Sequence, residues 1–457
     1  MDDEYLPLDG RRLDESPEHG IFGEKNMKKL VQSLCVLIFI LNSCPSRGSG
    51  QESGFNLKLL NRVTHRVSTV EDTLNEFADL GFLKKALKDT DIVFLGEQTH
   101  GDGTTFAAKS RLVRFLHEEM DFDVLAFESS ITDCHLTWQE ILAGADPMKV
   151  AGKSVFKFWA ESKYTTDLFA YIRDGAPTGD PLILAGFDIQ PSGLLPGSER
   201  NDQIIKFLTQ GPESVRLERL PRLAEYLNQP LRFFRSKADL DVDSVYRAAL
   251  TAEFNLVARA WEQKPWSREE APLYRFFVNT PRWLFFIWNL DFTQIDPAVA
   301  NIRDEEMARN LIWLKEQVYP DKKIIVWGAS SHFGFNRDLL QPFDGMIPMG
   351  KYVKDRFGNR SYTISFTSYD GEMGSLFDPK RSPVPPADSL SLEQALHNLD
   401  IMYGYLDMRD PKVRQALGER FIARLYGYEN WSGEWARMTD GIFFINTMEA
   451  NELRSDK

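Results

Sequence analysis

Short apolar segments rich in β-branched residues recur along the chain, and amphipathic segments with helical spacing lie between them. Continuous apolar runs of this length predict strands that are buried on both faces of a sheet. The predicted strands are Asp91–Leu95, Asp123–Phe127, Leu182–Phe187, Lys323–Trp327, Tyr362–Phe366 and Gly441–Ile445. The predicted helices are Phe106–Glu119, Cys134–Leu142, Asp167–Arg173 and Asp304–Val318. This alternation predicts an α/β fold with a mostly parallel, Rossmann-like central sheet flanked by helices.

The alternation of strands and helices stops between about residues 195 and 297. Only helical patterns are found there, at Asp202–Leu208, Val215–Leu227, Val242–Trp261 and Leu273–Leu290. We therefore predict a helical insertion within an α/β domain that extends over residues 73–457. The last of these segments is apolar on nearly every side, with Phe276, Trp283 and Trp288 among its aromatic residues. Packing against the sheet domain explains this composition best, and the wall of a ligand cleft is the alternative.

The N-terminal part of the chain has the composition of a targeting segment. Two lysines follow Met27, an apolar run covers residues 30–40, and Leu41-Asn42-Ser43-Cys44 comes directly after it. This order predicts a lipoprotein-type signal over residues 27–44, in which Cys44 is lipidated and becomes the mature N-terminus. A buried apolar segment is the alternative. Residues 45–72 are then expected to form a tether, and residues 1–26 are either a disordered extension or a mis-assigned start.

These features predict a lipoprotein of the bacterial cell envelope that is anchored to the membrane and faces the periplasm. The formal charge of −13 and the pI near 5.2 argue against nucleic-acid binding, since basic residues do not cluster along the chain. The chain has three cysteines, whose spacing matches neither a disulfide framework nor a zinc signature. The oligomeric state stays open.

Ionisable residues follow four of the predicted strands at the point where each strand ends. Glu97 and His100 follow the first strand, and Glu128, Asp188 and His332 follow the next three. In open α/β sheets ligands bind beyond the carboxyl ends of the strands, so we expect these side chains to share one cleft. A histidine and a carboxylate in such a cleft can transfer protons. For each carboxylate taken alone, capping of a helix is the alternative role.

Several motifs of the chain resemble those of the erythromycin esterase family. They are Gly96-Glu97-Gln98-Thr99-His100-Gly101 with Lys109 and Arg111–Leu116, Phe127-Glu128, Gly186–Gln190, Arg303-Asp304, Met307–Asn310, Met349-Gly350 and Tyr405–Arg409. The resemblance covers roughly residues 79–447, including the helical insertion. It implies hydrolysis of a small-molecule ester, in founding members the macrolactone ring of an antibiotic, with no metal or other cofactor required.

The resemblance also implies roles for individual residues. The candidate catalytic residues are Glu97, His100, Glu128 and His332. The candidate substrate-binding residues are Lys109, Asp188 and Arg303. Among them, His100 matches the histidine that activates water as a base, and a carboxylate on its other ring nitrogen would fix the tautomer. Lys109 falls where the family has a basic residue, which would hold the developing oxyanion or a substrate carbonyl.

One position departs from the family pattern. The segment Trp327–His332 matches a family segment that contains a pair of histidines, but the first of the pair is Ala329 in this chain. The missing imidazole argues against cleavage of macrolides. It leaves the residues around His100 in place.

Two other functions stay open on the residues alone. The four candidate catalytic residues are an acceptable ligand set for a divalent metal, which would make the protein a metal-dependent hydrolase. The other alternative is a non-catalytic lipoprotein that binds a small ligand or haem. A serine hydrolase of the nucleophile-elbow type is not predicted, because the sequence lacks the Gly-x-Ser-x-Gly motif.

Overall fold

A computed structural model describes residues 54–455 apart from 72–75, 193–196, 211–220, 222, 224–243, 263–266, 268, 292–293, 341–342 and 375–380. The predicted extension, the signal with Cys44 and most of the predicted helix 215–227 lie outside the described residues. Within the part of the chain that is described, we find no helix with the length and apolar character that a membrane span requires.

The described residues form α-helices that flank a central sheet and build the insertion. They are α1 Leu57–Val63, α2 Phe82–Ala86, α3 Gly103–Met120, α4 Ile131–Leu142, α5 Pro147–Val150, α6 Lys157–Ala160, α7 Thr166–Gly175, α8 Gly197–Thr209, α9 Ser244–Trp261, α10 Ala271–Asn289, α11 Pro297–Trp313, α12 Ser330–Phe333, α13 Met349–Phe357, α14 Leu392–His397 and α15 Pro411–Leu417. Side-chain caps define several of their starts. Ser130 accepts the N–H of Asp133 at the start of α4, and Asp296 accepts that of Ala298 in α11.

Most of the strands lie in one central sheet. They are β1 His65–Val67, β2 Ile92–Glu97, β3 Phe122–Ser130, β4 Ile183–Asp188, β5 Lys323–Ala329, β6 Ser361–Met373, β7 Ser382–Pro383, β8 Tyr403–Asp407, β9 Phe421–Ala423, β10 Trp431–Gly433 and β11 Gly441–Met448. Strands β9 and β10 form a separate antiparallel pair.

The main sheet of the described residues has the spatial order β1-β8-β11-β6-β2-β5-β3-β4, and β7 pairs with β6. All pairs from β11 to β4 are parallel, whereas β8 and β1 are antiparallel additions at one edge. The predicted class, a mostly parallel sheet flanked by helices, is therefore confirmed. The central position of β2 places its carboxyl end between the ends of β6 and β5.

The core explains why the predicted strands form. Ile92, Val93, Phe94 and Leu95 of β2 are at most 1% exposed, as expected for a strand covered on both faces. Helix α3 covers the sheet with an apolar face that includes Phe106 and Phe115. Burying such side chains contributes about 1.5–3 kcal/mol each, which fixes the strands that carry the site.

The predicted tether, residues 45–72, is wrong from Leu57 onward, because α1 and β1 are part of the folded domain. Helix α1 buries Leu60 and contacts α15, and β1 pairs antiparallel with β8. The serine- and glycine-rich composition ends near Ser53, and the residues that follow carry an apolar side chain at Leu60 that the C-terminal part of the domain covers. Strand β8 was also not predicted, because its Tyr403-Gly404 start lacks an apolar run.

The described residues between 195 and 297 contain the helices α8, α9 and α10 and no strand. Helix α10 packs against α9, and also against α4 and α11 of the sheet domain, as its aromatic composition predicts. Trp283 and Phe286 are 2% exposed, but Phe285 is 50% exposed. One face of α10 therefore meets the sheet domain and another faces outward.

Candidate active site

Four adjacent strands end in ionisable groups at one edge of the sheet. Their spatial order is β2, β5, β3 and β4, and all three pairs between them are parallel. Glu97 ends β2, Glu128 lies near the end of β3, Asp188 ends β4, and His332 follows β5 in α12. The sequence-predicted residues thus meet at the carboxyl edge, where ligands bind in open α/β sheets.

His100 is held by Glu97 across a tight turn. The ring Nδ1 lies 2.8 Å from Oε1 of Glu97, which is fully buried, while 12% of the imidazole is exposed. A carboxylate on Nδ1 favours the tautomer with its proton on that nitrogen. None of the described residues hydrogen-bonds to Nε2. The geometry therefore presents a bare ring nitrogen at the open side of the site.

Lys109 lies behind Glu97 and does not reach the open side. Its ammonium binds Oε2 of Glu97, lies 3.4 Å from the carbonyl oxygen of Gly328, and packs 4.2 Å from the ring centre of Trp327. Burial lowers the pKa of Lys109 to about 8, and the charge of Glu97 opposes this shift. The predicted contact with substrate is not supported, because the side chain is completely covered. Lys109 instead neutralises the carboxylate that orients His100.

Two aromatic residues that the sequence did not suggest complete the surroundings of His100. Trp159 donates its indole N–H to Oε1 of Glu97 at 2.8 Å. The ring of Phe158 stacks on the imidazole, with centroids 4.9 Å apart and an angle of 20°. Both belong to the short helix α6, and no local pattern around them indicates contact with a turn sixty residues earlier. They fix the plane of the imidazole and the position of its carboxylate.

The C-terminal segment, residues 449–454, holds this aromatic pair against the His100 turn. The backbone N–H of Asn451 donates to the carbonyl of Gly101 at 2.7 Å. Its side-chain amide donates to the carbonyl of Phe158 at 2.9 Å and accepts the hydroxyl of Ser162 at 2.6 Å. One residue therefore joins the turn to the segment that contacts both members of the His100–Glu97 pair.

Asp102 closes the same turn from inside. Its carboxylate accepts the N–H and the hydroxyl of Thr99, at 2.8 and 2.7 Å, and the hydroxyl of Tyr428 at 3.0 Å. Burial raises the pKa of Asp102 to about 7, the hydrogen bonds from Thr99 and Tyr428 oppose that shift, and the charge of Glu97 adds to it. The turn is thus fixed by groups that lie away from the open side.

A second cluster is centred on Arg303 of α11. Its guanidinium binds both oxygens of Asp188, at 3.2 and 2.5 Å, and Oε1 of Glu128 at 2.8 Å. Burial alone would raise the pKa of Glu128, but the charges of His332 and Arg303 lower it to about 2. Asp188 is completely buried and fully engaged, so its predicted contact with substrate is not supported. Arg303 retains 11% exposure and can reach a ligand.

His332 repeats the arrangement of His100. Its Nδ1 lies 2.8 Å from Oδ1 of Asp304, a residue to which the sequence analysis gave no role. Its Nε2 lies 3.2 Å from Arg303 and 3.5 Å from Glu128, and 18% of the side chain is exposed. Burial lowers the pKa of His332, but the charges of Asp304 and Glu128 raise it above its ordinary value overall. The sequence did contain one indication of this role, because Asp304 directly follows Arg303 in the Arg303-Asp304 motif.

The two imidazoles follow adjacent strands, β2 and β5, at the carboxyl edge of the sheet. The charge of His100 is close enough to Glu128 to contribute to the lowering of its pKa. Gly328 makes room between the clusters, since a Cβ there would come within 2.6 Å of Oε2 of Glu128. Ala329 pairs with Glu97 in the strand register, donates its N–H to Glu128 at 3.0 Å, and is 2% exposed.

Metal ligation by the four candidate residues has little support in their contacts. Among the described residues, no group of three or more histidine, cysteine or acidic side chains has an arrangement that could hold a metal ion. The oxygens of Glu97 are engaged by Lys109, Trp159 and His100, and those of Glu128 by Arg303 and a backbone N–H. Each carboxylate is thus balanced by cations and N–H donors of the protein itself.

An imidazole with a bare nitrogen beside buried carboxylates, at the carboxyl edge of a parallel sheet, suits an enzyme that transfers protons. Sequence comparison gives the family. The family profile described as Erythromycin esterase matches residues 117–448, and the chain belongs to the erythromycin esterase family.

Two relatives match most of the chain. A protein named putative hydrolase YbfO, from Bacillus subtilis, is 28% identical over 392 residues, which cover 80% of this chain and 86% of the relative. Erythromycin esterase type II from Escherichia coli is 21% identical over 423 residues, covering 86% of this chain and 97% of the relative. Family membership and these relatives support a hydrolase.

Solved structures share the fold. A protein described as a succinoglycan biosynthesis protein has a TM-score of 0.72 at 19% identity, covering 89% of this chain and 100% of that chain. A mutant of the erythromycin esterase EreC in its open conformation has a TM-score of 0.61 at 17% identity, covering 86% of this chain and 99% of that chain. At these identities the likeness shows the architecture only.

Proposed function

We propose that the protein hydrolyses a carboxylic ester or lactone, with His100 as the base that activates water. The observation that carries the proposal is the 2.8 Å contact between His100 Nδ1 and Glu97, which leaves Nε2 bare at the open side. Nε2 takes a proton from water as the water oxygen bonds to the ester carbonyl carbon. The tetrahedral intermediate then expels the alcohol, which receives the proton from the imidazolium.

The second cluster would stabilise the oxyanion and assist the leaving group. Arg303 provides a partly exposed guanidinium, and His332 carries a pKa raised by the carboxylates around it. A cation that is fixed before the reaction stabilises developing negative charge at low reorganisation cost. To donate to the departing alkoxide, protonated His332 would turn its Nε2–H from Glu128 and Arg303 toward the substrate. Both assignments depend on a substrate carbonyl lying between the two imidazoles.

The proposed reaction is tested with the His100→Asn variant on a panel of esters, lactones and macrolides. We expect the variant to lose about 10²–10⁴-fold in kcat, because a positioned general base contributes that factor. His397→Asn is the matched control, since His397 bonds to Asn446 far along the chain from the His100 turn. A kcat of the His100→Asn variant equal to that of the wild type would contradict the proposal. We expect macrolides to be poor substrates, because Ala329 replaces the histidine of the family pattern.

Metal dependence is tested separately. The engaged carboxylates favour hydrolysis by the protein's own side chains, so we expect dialysis against a chelator to leave kcat unchanged. Loss of activity on chelation, restored by zinc or manganese, would favour the metal-dependent alternative. A purified protein with a haem absorption band would favour the non-catalytic lipoprotein.

We also propose that the enzyme is anchored in the cell envelope through lipidated Cys44. The order of Lys28, Lys29, the apolar run and Cys44 supports this proposal. The first described residues agree with it, since α1 begins at Leu57 and leaves a serine- and glycine-rich stretch between Cys44 and the folded domain.

A further inference from the structure

A cavity of about 30 Å³ lies between the sheet domain and the last helix of the insertion. Its walls come from the start of α4, the segment that follows β4 and one face of α10. This volume accommodates one or two groups of the size of a water molecule. Asp188 lines the cavity and also binds Arg303, so the cavity borders the candidate active site.

Two buried N–H groups belong to the α10 wall of this cavity. Asn279 Nδ2 and Trp283 Nε1 have no hydrogen-bond partner among the described residues, and the two residues are 4% and 2% exposed. Buried donors in native proteins nearly always have a partner. An oxygen atom placed in the cavity would provide one.

The orientation of the Asn279 amide is set by its neighbours. Its Oδ1 accepts a hydrogen bond from Arg275 at 3.4 Å, and Arg275 is itself held by Asn310 at 2.5 Å. Asn310 in turn donates to the carbonyl of Phe187 at the end of β4. Because the amide oxygen is committed to Arg275, the NH₂ group is the part of Asn279 that remains to bind an acceptor.

The charge of the wall selects the kind of acceptor. The two charged side chains of the wall, Asp188 and Arg200, are already paired, with Arg303 and Asp133 respectively, so the described wall offers no free charge to an ionic group. The donors that remain without a partner in the described wall are the Asn279 amide and the Trp283 indole, and a hydroxyl oxygen accepts a hydrogen bond from either kind of N–H. Phe276 and Ile189 line the same cavity and offer apolar contacts to the carbon that bears the hydroxyl.

We propose that this cavity is a subsite for an uncharged hydroxyl group of the ester substrate, with Asn279 and Trp283 as specificity-determining residues. The inference rests on the proposed ester hydrolysis at His100. A site built to hydrogen-bond a substrate hydroxyl discriminates against the analogue that lacks it, since the buried donors are then left without partners.

The test compares p-nitrophenyl 3-hydroxybutyrate with p-nitrophenyl butyrate. We expect the wild type to prefer the hydroxylated ester, and Asn279→Leu and Trp283→Phe to lower kcat/KM for it about tenfold with little change for the butyrate. Asn289→Leu is the matched control, because Asn289 is exposed on the same helix and bonds to the carbonyl of Phe285. The subsite would be overturned by a wild type that does not prefer the hydroxylated ester. It would also be overturned by variants in which the ratio of kcat/KM for the two esters equals that of the wild type.

A second measurement detects binding without turnover. The indole N–H resonance of Trp283, identified by its loss in Trp283→Phe, is followed while methyl 3-hydroxybutyrate or methyl butyrate is added. We expect a downfield shift with the hydroxylated ester only. A shift in a protein that hydrolyses neither p-nitrophenyl ester would support the subsite and count against the proposed function. No shift with either methyl ester would overturn the subsite, whatever the turnover.

Discussion

The candidate site separates its charged groups by burial. Glu97, Glu128 and Asp188 are at most 3% exposed, whereas the side chains of His100 and His332 are 12% and 18% exposed. Each imidazole directs Nδ1 to a buried carboxylate at 2.8 Å. The carboxylates of Glu97 and Asp304 therefore set the orientation of the two imidazoles. Nε2 of His100 can meet a substrate, whereas Nε2 of His332 lies 3.2 Å from Arg303 and 3.5 Å from Glu128.

The buried carboxylate of Glu128 makes the stability of the fold depend on pH. Its pKa is about 2 in the folded protein against 4.5 ordinarily. This difference corresponds to about 3 kcal/mol of stability, present above pH 4.5 and lost as the pH falls toward 2. We predict that Glu128→Gln lowers the free energy of unfolding by about 3 kcal/mol at pH 7, with a smaller difference at pH 3. Denaturant titrations at several pH values measure the free energy of unfolding of both proteins. A difference between the wild type and Glu128→Gln that does not change with pH would contradict the prediction.

At the level of elements, the turn between β2 and α3 depends on chain segments that are distant in sequence. The carbonyl of Gly101 accepts N–H groups from Gly374, after β6, and from Asn451 in the C-terminal segment. A Cβ on Gly101 would come within 2.1 Å of the carbonyl oxygen of Gly374. Because both contacts involve backbone, the turn cannot accommodate a side chain without moving.

We predict that Gly101→Ala lowers kcat about 10²-fold, since a displacement of about 1 Å in a catalytic group costs that factor. Gly175→Ala is the matched control, because nothing lies within 4 Å of a Cβ at Gly175. The measurement is steady-state kinetics on the best ester of the panel. Equal activity of the two variants would show that the turn does not position His100.

Asn451 gives a second prediction at this scale. Asn451→Ala removes the side-chain bonds to Phe158 and Ser162 but keeps the backbone bond to Gly101. We expect kcat to fall roughly tenfold with KM nearly unchanged, because Phe158, whose ring stacks on His100, loses the hydrogen bond to its carbonyl. Asn446→Ala, which removes a contact with His397, serves as the control. A change in KM alone would contradict a positioning role.

Local patterns in the sequence are enough to predict the parallel sheet and the grouping of ionisable residues at its carboxyl edge. Strand periodicity is a property of a few consecutive residues, and the carboxyl ends of parallel strands share one edge. The contacts of Trp159 and Asn451 with the site have no such local signal, since they join the His100 turn to segments far along the chain. The same holds for the burial of Lys109, because its position behind Glu97 depends on how α3 packs.

At the scale of the whole molecule, an α/β domain follows an N-terminal segment for which we propose lipidation at Cys44. The site is built from the ends of strands β2 to β5 and from α11 and α12, which lie far apart along the chain. The helical insertion contributes the α10 wall of the cavity beside Asp188. Under the two proposals, substrate selection and chemistry belong to different parts of the chain, the helical insertion and the ends of the strands.

The anchor is tested in cells that express the full chain. We predict that labelled palmitate is incorporated into the wild type, and that Cys44→Ala abolishes the label and moves the protein out of the membrane fraction. Cys134→Ala is the control, because Cys134 is buried in the core. Label that persists in Cys44→Ala would contradict lipidation at this residue.

The most direct test of the account is the protonation state of the His100 ring. Two-bond ¹H–¹⁵N spectra at pH 9, where imidazoles are ordinarily neutral, show which nitrogen carries the proton. His100→Asn identifies the resonances. We predict a proton on Nδ1 and a bare Nε2 in the wild type, and a loss of this preference in Glu97→Gln. A proton on Nε2 in the wild type would contradict the assignment of His100 as the base held by Glu97.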